Sequence, residues 1–208
     1  MSGRPYVIGL TGNIACGKSA VLAMLADLGA ETIDADRVAH AVMAPGQPTA
    51  ERVIAEFGAG VRGADGGIDR RALGEIVFAD PARLRRLDEL THPPTVAAIR
   101  ERVAASDRPV VVIDAIKLFE AGMAGDCDQI WVVICDADQQ IARLMRRNGY
   151  DRAEARRRID AQPPAAEKVA RAGVVIDNSG SLEDTEAQVR AAWDALPLQR
   201  RDPVDAAG

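Results

Sequence analysis

Short apolar runs and longer stretches of helical spacing alternate along most of this chain. The runs at 6–11, 109–114, 129–135 and 173–177 are dominated by Val, Ile and Leu with few charges and read as strands, that at 109–114 with the continuous apolar pattern of a strand buried on both faces. A shorter one at 30–33 leads into Asp34-Ala35-Asp36-Arg37. Between them apolar positions recur every three or four residues, predicting helices over 19–28, 138–147 and 182–196. Strands alternating with helices in this way predict an α/β fold, a central parallel five-stranded sheet flanked by helices.

Between the second and third strands the pattern changes to helical periodicity alone. It predicts helices over 37–44, 49–57, 70–78, 82–90 and 94–105, separated by turn signals such as Pro45-Gly46, Gly58-Ala59-Gly60 and Asp65-Gly66-Gly67. That exceeds what a simple crossover needs. The expected organisation is a core of 1–36 and 108–198 with an inserted helical acceptor-binding block over 37–107. Pro93 disfavours αR backbone at His92, so one helix is expected to end there. Another is expected over 115–121, and the polar tail 199–208 is expected to be flexible.

Composition sets outer limits. The 208 residues suit one α/β domain with an insertion, and 48% hydrophobic with 27% charged residues is ordinary for a soluble protein. With no run of about 18 apolar residues and no signal-peptide pattern, a cytoplasmic location and no membrane partner are expected. The 3 cysteines lack metal-ligand spacing and are expected to be free thiols. A net charge of −5 argues against nucleic-acid binding, so an anionic ligand must meet local positive charge. A monomer is the default expectation.

The stretch Gly12-Asn13-Ile14-Ala15-Cys16-Gly17-Lys18-Ser19 has the form G-x-x-x-x-G-K-[ST], between a predicted strand and a predicted helix. Its glycines let the backbone curl around phosphate oxygens, and the helix adds the positive end of its dipole. Lys18 can follow the β/γ-phosphates and the Ser19 hydroxyl can ligate Mg²⁺. The expected ligand is a nucleoside triphosphate. Cys16, just ahead of a helix N-terminus, is expected to have a lowered thiol pKa and to block ATP when oxidised or alkylated.

Carboxylates at the C-terminal ends of strands in such a sheet lie at the ligand edge. Asp34 and Asp36 are candidates for proton acceptance and substrate or metal orientation, with helix capping the alternative for either. Asp114 ends an apolar strand, where it can hold Mg²⁺ or cap the helix after it. Lys117 and Glu120 can reach the cleft or remain solvated, and His92 can bind a substrate phosphate or satisfy a local carbonyl. From 143 to 158 the chain carries Arg143, Arg146, Arg147, Arg152, Arg156, Arg157 and Arg158, offset only by Asp151 and Glu154. An arginine-rich helical hairpin suits a lid, over about 147–170, in which two or three guanidinium groups meet phosphoryl oxygens and closure excludes water. Asn178, after the last strand, can offer a donor to a purine.

Together these residues resemble the dephospho-CoA kinase family, over nearly the whole chain. The resemblance is carried by GLTGNIACGKSAV, by TIDADRVAHAV, and by Asp65-Gly66 with Ile68-Asp69-Arg70, Leu73 and Val77-Phe78. It continues through His92-Pro93, Leu118-Phe119-Glu120, Arg143 with Arg147, Gln162, and Val175-Ile176-Asp177-Asn178-Ser179-Gly180. It implies a P-loop kinase with a helical substrate-binding insertion and a lid. Such an enzyme transfers the γ-phosphoryl group of ATP·Mg²⁺ to the ribose 3′-hydroxyl of dephospho-CoA. By position it implies Asp36 as general base, with Lys18 and Arg143 as its catalytic partners. The loop 12–19, Ala20 and Arg147 would bind ATP phosphates, and Asn178 with Gly180 would lie on the adenine side. Ser19 and Asp114 would hold the metal; Asp34, His92 and Lys117 would face the acceptor. Three positions depart from the family's habit: Ala20 for Thr, Ile116-Lys117 for Pro-Leu, and Ala172-Gly173 for Ala-Asp. A kinase for another nucleoside or nucleotide acceptor is the alternative, and the absence of an Asn-Lys-x-Asp motif speaks against a GTPase-like switch.

Overall fold

The computed structural model describes residues 4–198. Its sheet is built from β1 (Tyr6–Gly12), β2 (Glu31–Asp34), β3 (Val110–Asp114), β4 (Gln129–Ile134) and β5 (Val174–Asp177). The strand order is β2-β3-β1-β4-β5 and every neighbouring pair is parallel. Their C-terminal ends therefore share one edge, which brings Gly12, Asp34, Asp114 and Asp177 to the same side of the molecule.

The pleat sorts each apolar run onto two faces. Val110 and Val112 join Ile8, Leu10, Trp131, Val133 and Ile176 against α1 (Lys18–Asp27) and α9 (Leu182–Asp194), through Val21, Leu25 and Val189. Val111 and Ile113 join Val7 and Ile33 on the opposite face. There they meet Val38 of α2 (Ala35–Val42) and Val96 and Ile99 of α5 (Pro81–Ala105).

The helical block adds α3 (Pro48–Phe57), a 3-10 turn at Ala59–Val61 and α4 (Arg70–Ala79). It has its own core of Val53, Ile54, Phe57, Val61, Leu73, Val77 and Leu90. After β4 come α6 (Ala137–Asn148), α7 (Arg152–Asp160) and the short α8 (Ala165–Val169). Gly149 ends α6 in the left-handed region, with φ 69°.

Two expected elements differ. The helices predicted over 82–90 and 94–105 are one continuous helix of 25 residues, with Pro93 and Pro94 inside it. Burial of Leu90, Thr91, Thr95, Val96 and Ile99 along one side outweighs the local preference of Pro93 and the loss of two backbone donors. The helix expected over 115–121 is instead a set of tight turns: Ala121 N–H donates to Lys117 O at 2.9 Å and Met123 N–H to Leu118 O at 3.1 Å. The alternative reading of Asp114 as the cap of that helix falls with it. The tail expectation for 199–208 lies outside the described residues.

Candidate active site

The loop between β1 and α1 is fixed by close approaches that only glycine permits. A Cβ on Gly12 would stand 2.6 Å from Val133 O and 2.7 Å from Cys16 Sγ; one on Gly17 would stand 1.8 Å from Asn178 Nδ2. Gly17, at φ 95°, and Ala15, at φ 59°, are both left-handed, the curl that lets successive N–H groups converge on an anion. The loop from Asn13 to Ser19 lines a cleft of about 590 Å³, together with Ile116, Arg143, Arg146 and Arg147.

Acids gather where β2 and β3 end. Asp34 and Asp114 are register partners across the two strands. The Lys18 ammonium is ion-paired to Asp114, both side chains being largely buried. Burial pushes the Asp114 carboxyl above its ordinary range, Lys18 opposes that, and the neighbouring Asp34 and Asp36 charges reinforce it. Asp34 caps α2, accepting from Arg37 N–H at 3.0 Å, while Asp36 stands exposed in the first turn of that helix. The capping role therefore belongs to Asp34, and Asp36 is left with its carboxylate toward solvent near Asp114.

Basic residues come from α6. Arg143 donates to Ala15 O at 3.3 Å and to Asn178 O at 3.1 Å, so its guanidinium bridges the phosphate loop and the loop after β5. Arg147 lies one turn further along, exposed, with its Nε on Asn148 Oδ1 at 3.0 Å. Asn178 is buried: its Nδ2 donates to Cys16 O at 2.8 Å and its Oδ1 accepts from the Thr185 hydroxyl at 2.9 Å. The Asn178 side chain thus braces the phosphate loop. Gly180 sits at the start of α9, where a Cβ would meet Asp184 Oδ2 at 2.9 Å.

Where the turns after β3 meet α5, Lys117 Nζ reaches both carboxylate oxygens of Asp88 at 3.1 Å, and His92 Nε2 lies 3.3 Å from the same group. Burial lowers the His92 pKa below its ordinary value; Asp88 works against that and Lys117 with it. His92, Lys117 and Asp88 form one cluster on α5 and the turns after β3.

A glycine-fixed loop, acids and arginines in this arrangement suit a ligand that carries phosphates. The dephospho-CoA kinase family model matches residues 6–184. The chain belongs to the dephospho-CoA kinase family. The dephospho-CoA kinase of Symbiobacterium thermophilum is 50% identical over 192 residues, covering 91% of this chain and 80% of that protein. That of Carboxydothermus hydrogenoformans is 47% identical over 186 residues, covering 88% and 90%. A crystal structure from Thermus thermophilus superposes with TM-score 0.79 at 36% identity, covering 93% of this chain and 99% of that one. The dephospho-CoA kinase of Campylobacter jejuni gives 0.67 at 26%, covering 90% and 95%. A shikimate kinase from Bacteroides thetaiotaomicron, at 16% identity and TM-score 0.52, shares the fold. The parallel five-stranded P-loop kinase fold expected from the sequence is the fold of this dephospho-CoA kinase family member.

One chemical expectation is overturned. Cys16 is 1% exposed, and burial raises its thiol pKa despite the helix N-terminus, with Lys18 and Lys168 only partly offsetting it. Burial likewise pushes Cys127 up to about 12 and Cys135 up to about 11. All three cysteines are free thiols, as expected. Several contacts of the site were not foreseen from sequence. Gln162 Oε1 accepts from Ile14 N–H at 2.7 Å, Asn13 Nδ2 donates to Pro163 O at 3.0 Å, and buried Gln140 donates to Ile14 O at 3.0 Å. Each bond joins segments far apart in the chain, so no local pattern announces it. Asn13 had a signal in the phosphate-loop motif and Gln162 in the family-like series of motifs; Gln140 had none.

Proposed function

We propose that this chain transfers the γ-phosphoryl group of ATP to the ribose 3′-hydroxyl of dephospho-CoA. The observation that carries the reading is the meeting, at one sheet edge, of a glycine-fixed phosphate loop with Lys18, the acids Asp34, Asp36 and Asp114, and Arg143 and Arg147 along one cleft wall. Loop amides and Lys18 hold the phosphates, and the arginines neutralise charge on the equatorial oxygens as it spreads. Asp36 takes the proton of the 3′-hydroxyl; the freed oxygen attacks the γ-phosphorus, and the bond to the bridging oxygen breaks to release ADP. Asp34 and the Lys117–Asp88–His92 cluster orient the acceptor. The loop after β5, with Asn178 and Gly180, borders the adenine side.

The residues also suit Mg²⁺. Ser19 lines the cleft and Asp114 stands beside it, while no cluster of three or more metal-binding side chains occurs among the described residues. That matches an ion held by one or two protein groups plus phosphate oxygens. Ser19 and Asp114 would hold it, and it would supply charge neutralisation between the β- and γ-phosphates. Among the described residues no helix is long and apolar enough to cross a membrane.

ADP release measured with dephospho-CoA against a panel of nucleosides and nucleotides tests the acceptor. Stimulation is expected with dephospho-CoA alone, and acceptor-independent turnover sinks the reading. Asp36→Asn is expected to lower kcat by roughly 10²–10⁴-fold with ADP affinity nearly unchanged. Normal turnover at saturating acceptor would move the base elsewhere.

A further inference from the structure

Among the described residues Lys168 is the most deeply buried charged residue, at 5% exposure. It stands on α8, where the chain returns from the arginine hairpin toward β5. Its Nζ donates to Ile116 O at 3.3 Å, and the Thr11 hydroxyl donates to the same carbonyl at 3.2 Å. Ile116 is part of the cleft wall. The charged and titratable neighbours of the ammonium are Lys18 and Cys16 on the cradle side and Glu120 on the acceptor side. One bond to a neutral carbonyl uses one of three N–H donors, and no described carboxylate lies within ion-pair distance.

Such an arrangement is poor as a structural prop. A buried ammonium loses its hydration, and an apolar side chain of the same length would fill the space at lower cost. It is well suited to an anion. A phosphate oxygen near Ile116 would meet Lys18 and Lys168 together, relieve the repulsion between them, and interact in surroundings of low dielectric.

We propose that Lys168 is a phosphoryl-binding residue of the transfer site, its ammonium donating to a phosphate oxygen held in the cleft beside Lys18. The assignment rests on the kinase reading above. The oxygen can come from the nucleotide's polyphosphate or from the acceptor's pyrophosphate, and the experiment separates these sources.

Lys168→Met removes the charge and keeps the length; Lys168→Arg keeps the charge. For both and the parent, ADP and dephospho-CoA affinities are measured by calorimetry, with kcat, kcat/KM and the ligand-free thermal midpoint. K168M is expected to lose on the order of 10²-fold in kcat/KM, the scale for one preorganised donor, with its thermal midpoint unchanged or raised. K168R is expected to recover part of the loss. Weaker ADP binding assigns the oxygen to the nucleotide, weaker dephospho-CoA binding assigns it to the acceptor, and a loss in kcat alone assigns it to the group in transit. K168M matching the parent in all these, or losing activity together with thermal midpoint, overturns the proposal. If the parent itself shows no turnover with dephospho-CoA, the acceptor reading fails. The ADP titration then decides for Lys168: reduced affinity supports it and equal affinity overturns it.

Discussion

Lys18 and Asp114 hold each other, and each therefore sets how the other behaves. Burial already places the Asp114 carboxyl above its ordinary range, with Lys18 as the main opposing influence. Lys18→Met leaves burial and the Asp34 and Asp36 charges unopposed, so the carboxyl rises further. A raised carboxyl binds its proton more readily in the folded than in the unfolded chain. Stability is then full below the unfolded pKa and falls as pH climbs through the raised folded value. Lys18→Met is expected to lose on the order of 1–3 kcal/mol between about pH 4 and about pH 8, relative to the parent. Adding Asp114→Asn is expected to restore it. Urea unfolding at both pH values checks this, and a single variant with a flat profile would show that the pair carries no such linkage. Cys16 teaches the same lesson: a helix N-terminus favours the thiolate, yet removal from water outweighs it.

At the scale of elements, α9 and the loop before it brace the phosphate loop. Asn178 ties Cys16 O to the Thr185 hydroxyl, and both side chains are buried. Asn178→Ala strands the Cys16 carbonyl away from water, while the Thr185 hydroxyl keeps its bond to Ser181 O, at a cost of about 1–3 kcal/mol. Chemical denaturation is expected to show that loss, and calorimetry a weaker affinity for ADP because the loop amides are no longer held in place. Full ADP affinity would mean that the loop keeps its shape unaided. β1, β3 and β4 were legible in the sequence because burial on both faces writes itself as an uninterrupted apolar run, while the edge strands β2 and β5, only partly buried, showed as shorter runs ending in Asp. The phosphate loop was legible because its backbone requirements dictate glycine at fixed places. The continuity of α5 was not, since the rule applied at Pro93 is local while the packing that overrides it comes from the sheet and from neighbouring helices. Asp34 and Asp36 were legible as a pair but not individually: only the fold shows which of them caps α2.

For the molecule as a whole, separate cores divide the labour. Two clusters lie on either side of the sheet, and a third, centred on Leu73, Val77 and Phe57, lies inside the helical block. Damage to the third should reach the acceptor before the nucleotide. Leu73→Ala, at 6% exposure, is expected to cost about 2–5 kcal/mol, raise KM for dephospho-CoA and leave ADP affinity intact. Equal losses for both ligands would mean that the clusters behave as one. Bonds such as Gln162 to Ile14 and Lys168 to Ile116 exist only once the sheet has assembled the cleft, which is why no spacing in the chain foretells them.

The unbroken length of α5 has a mechanical meaning. Its N-terminal half supplies Leu90 to the outer bundle and its C-terminal half supplies Val96 and Ile99 to the sheet, while at the other border β2 passes into α2 between Asp34 and Ala35 with no spacer. A hinge needs residues free to change φ and ψ, and α5, which crosses from one core to the other, is helical over its whole length. Swinging the bundle aside would bend or unwind a helix. The arginine hairpin, by contrast, meets its neighbours through Gly149 and 161–164, joints that lie outside the helices on either side of α7.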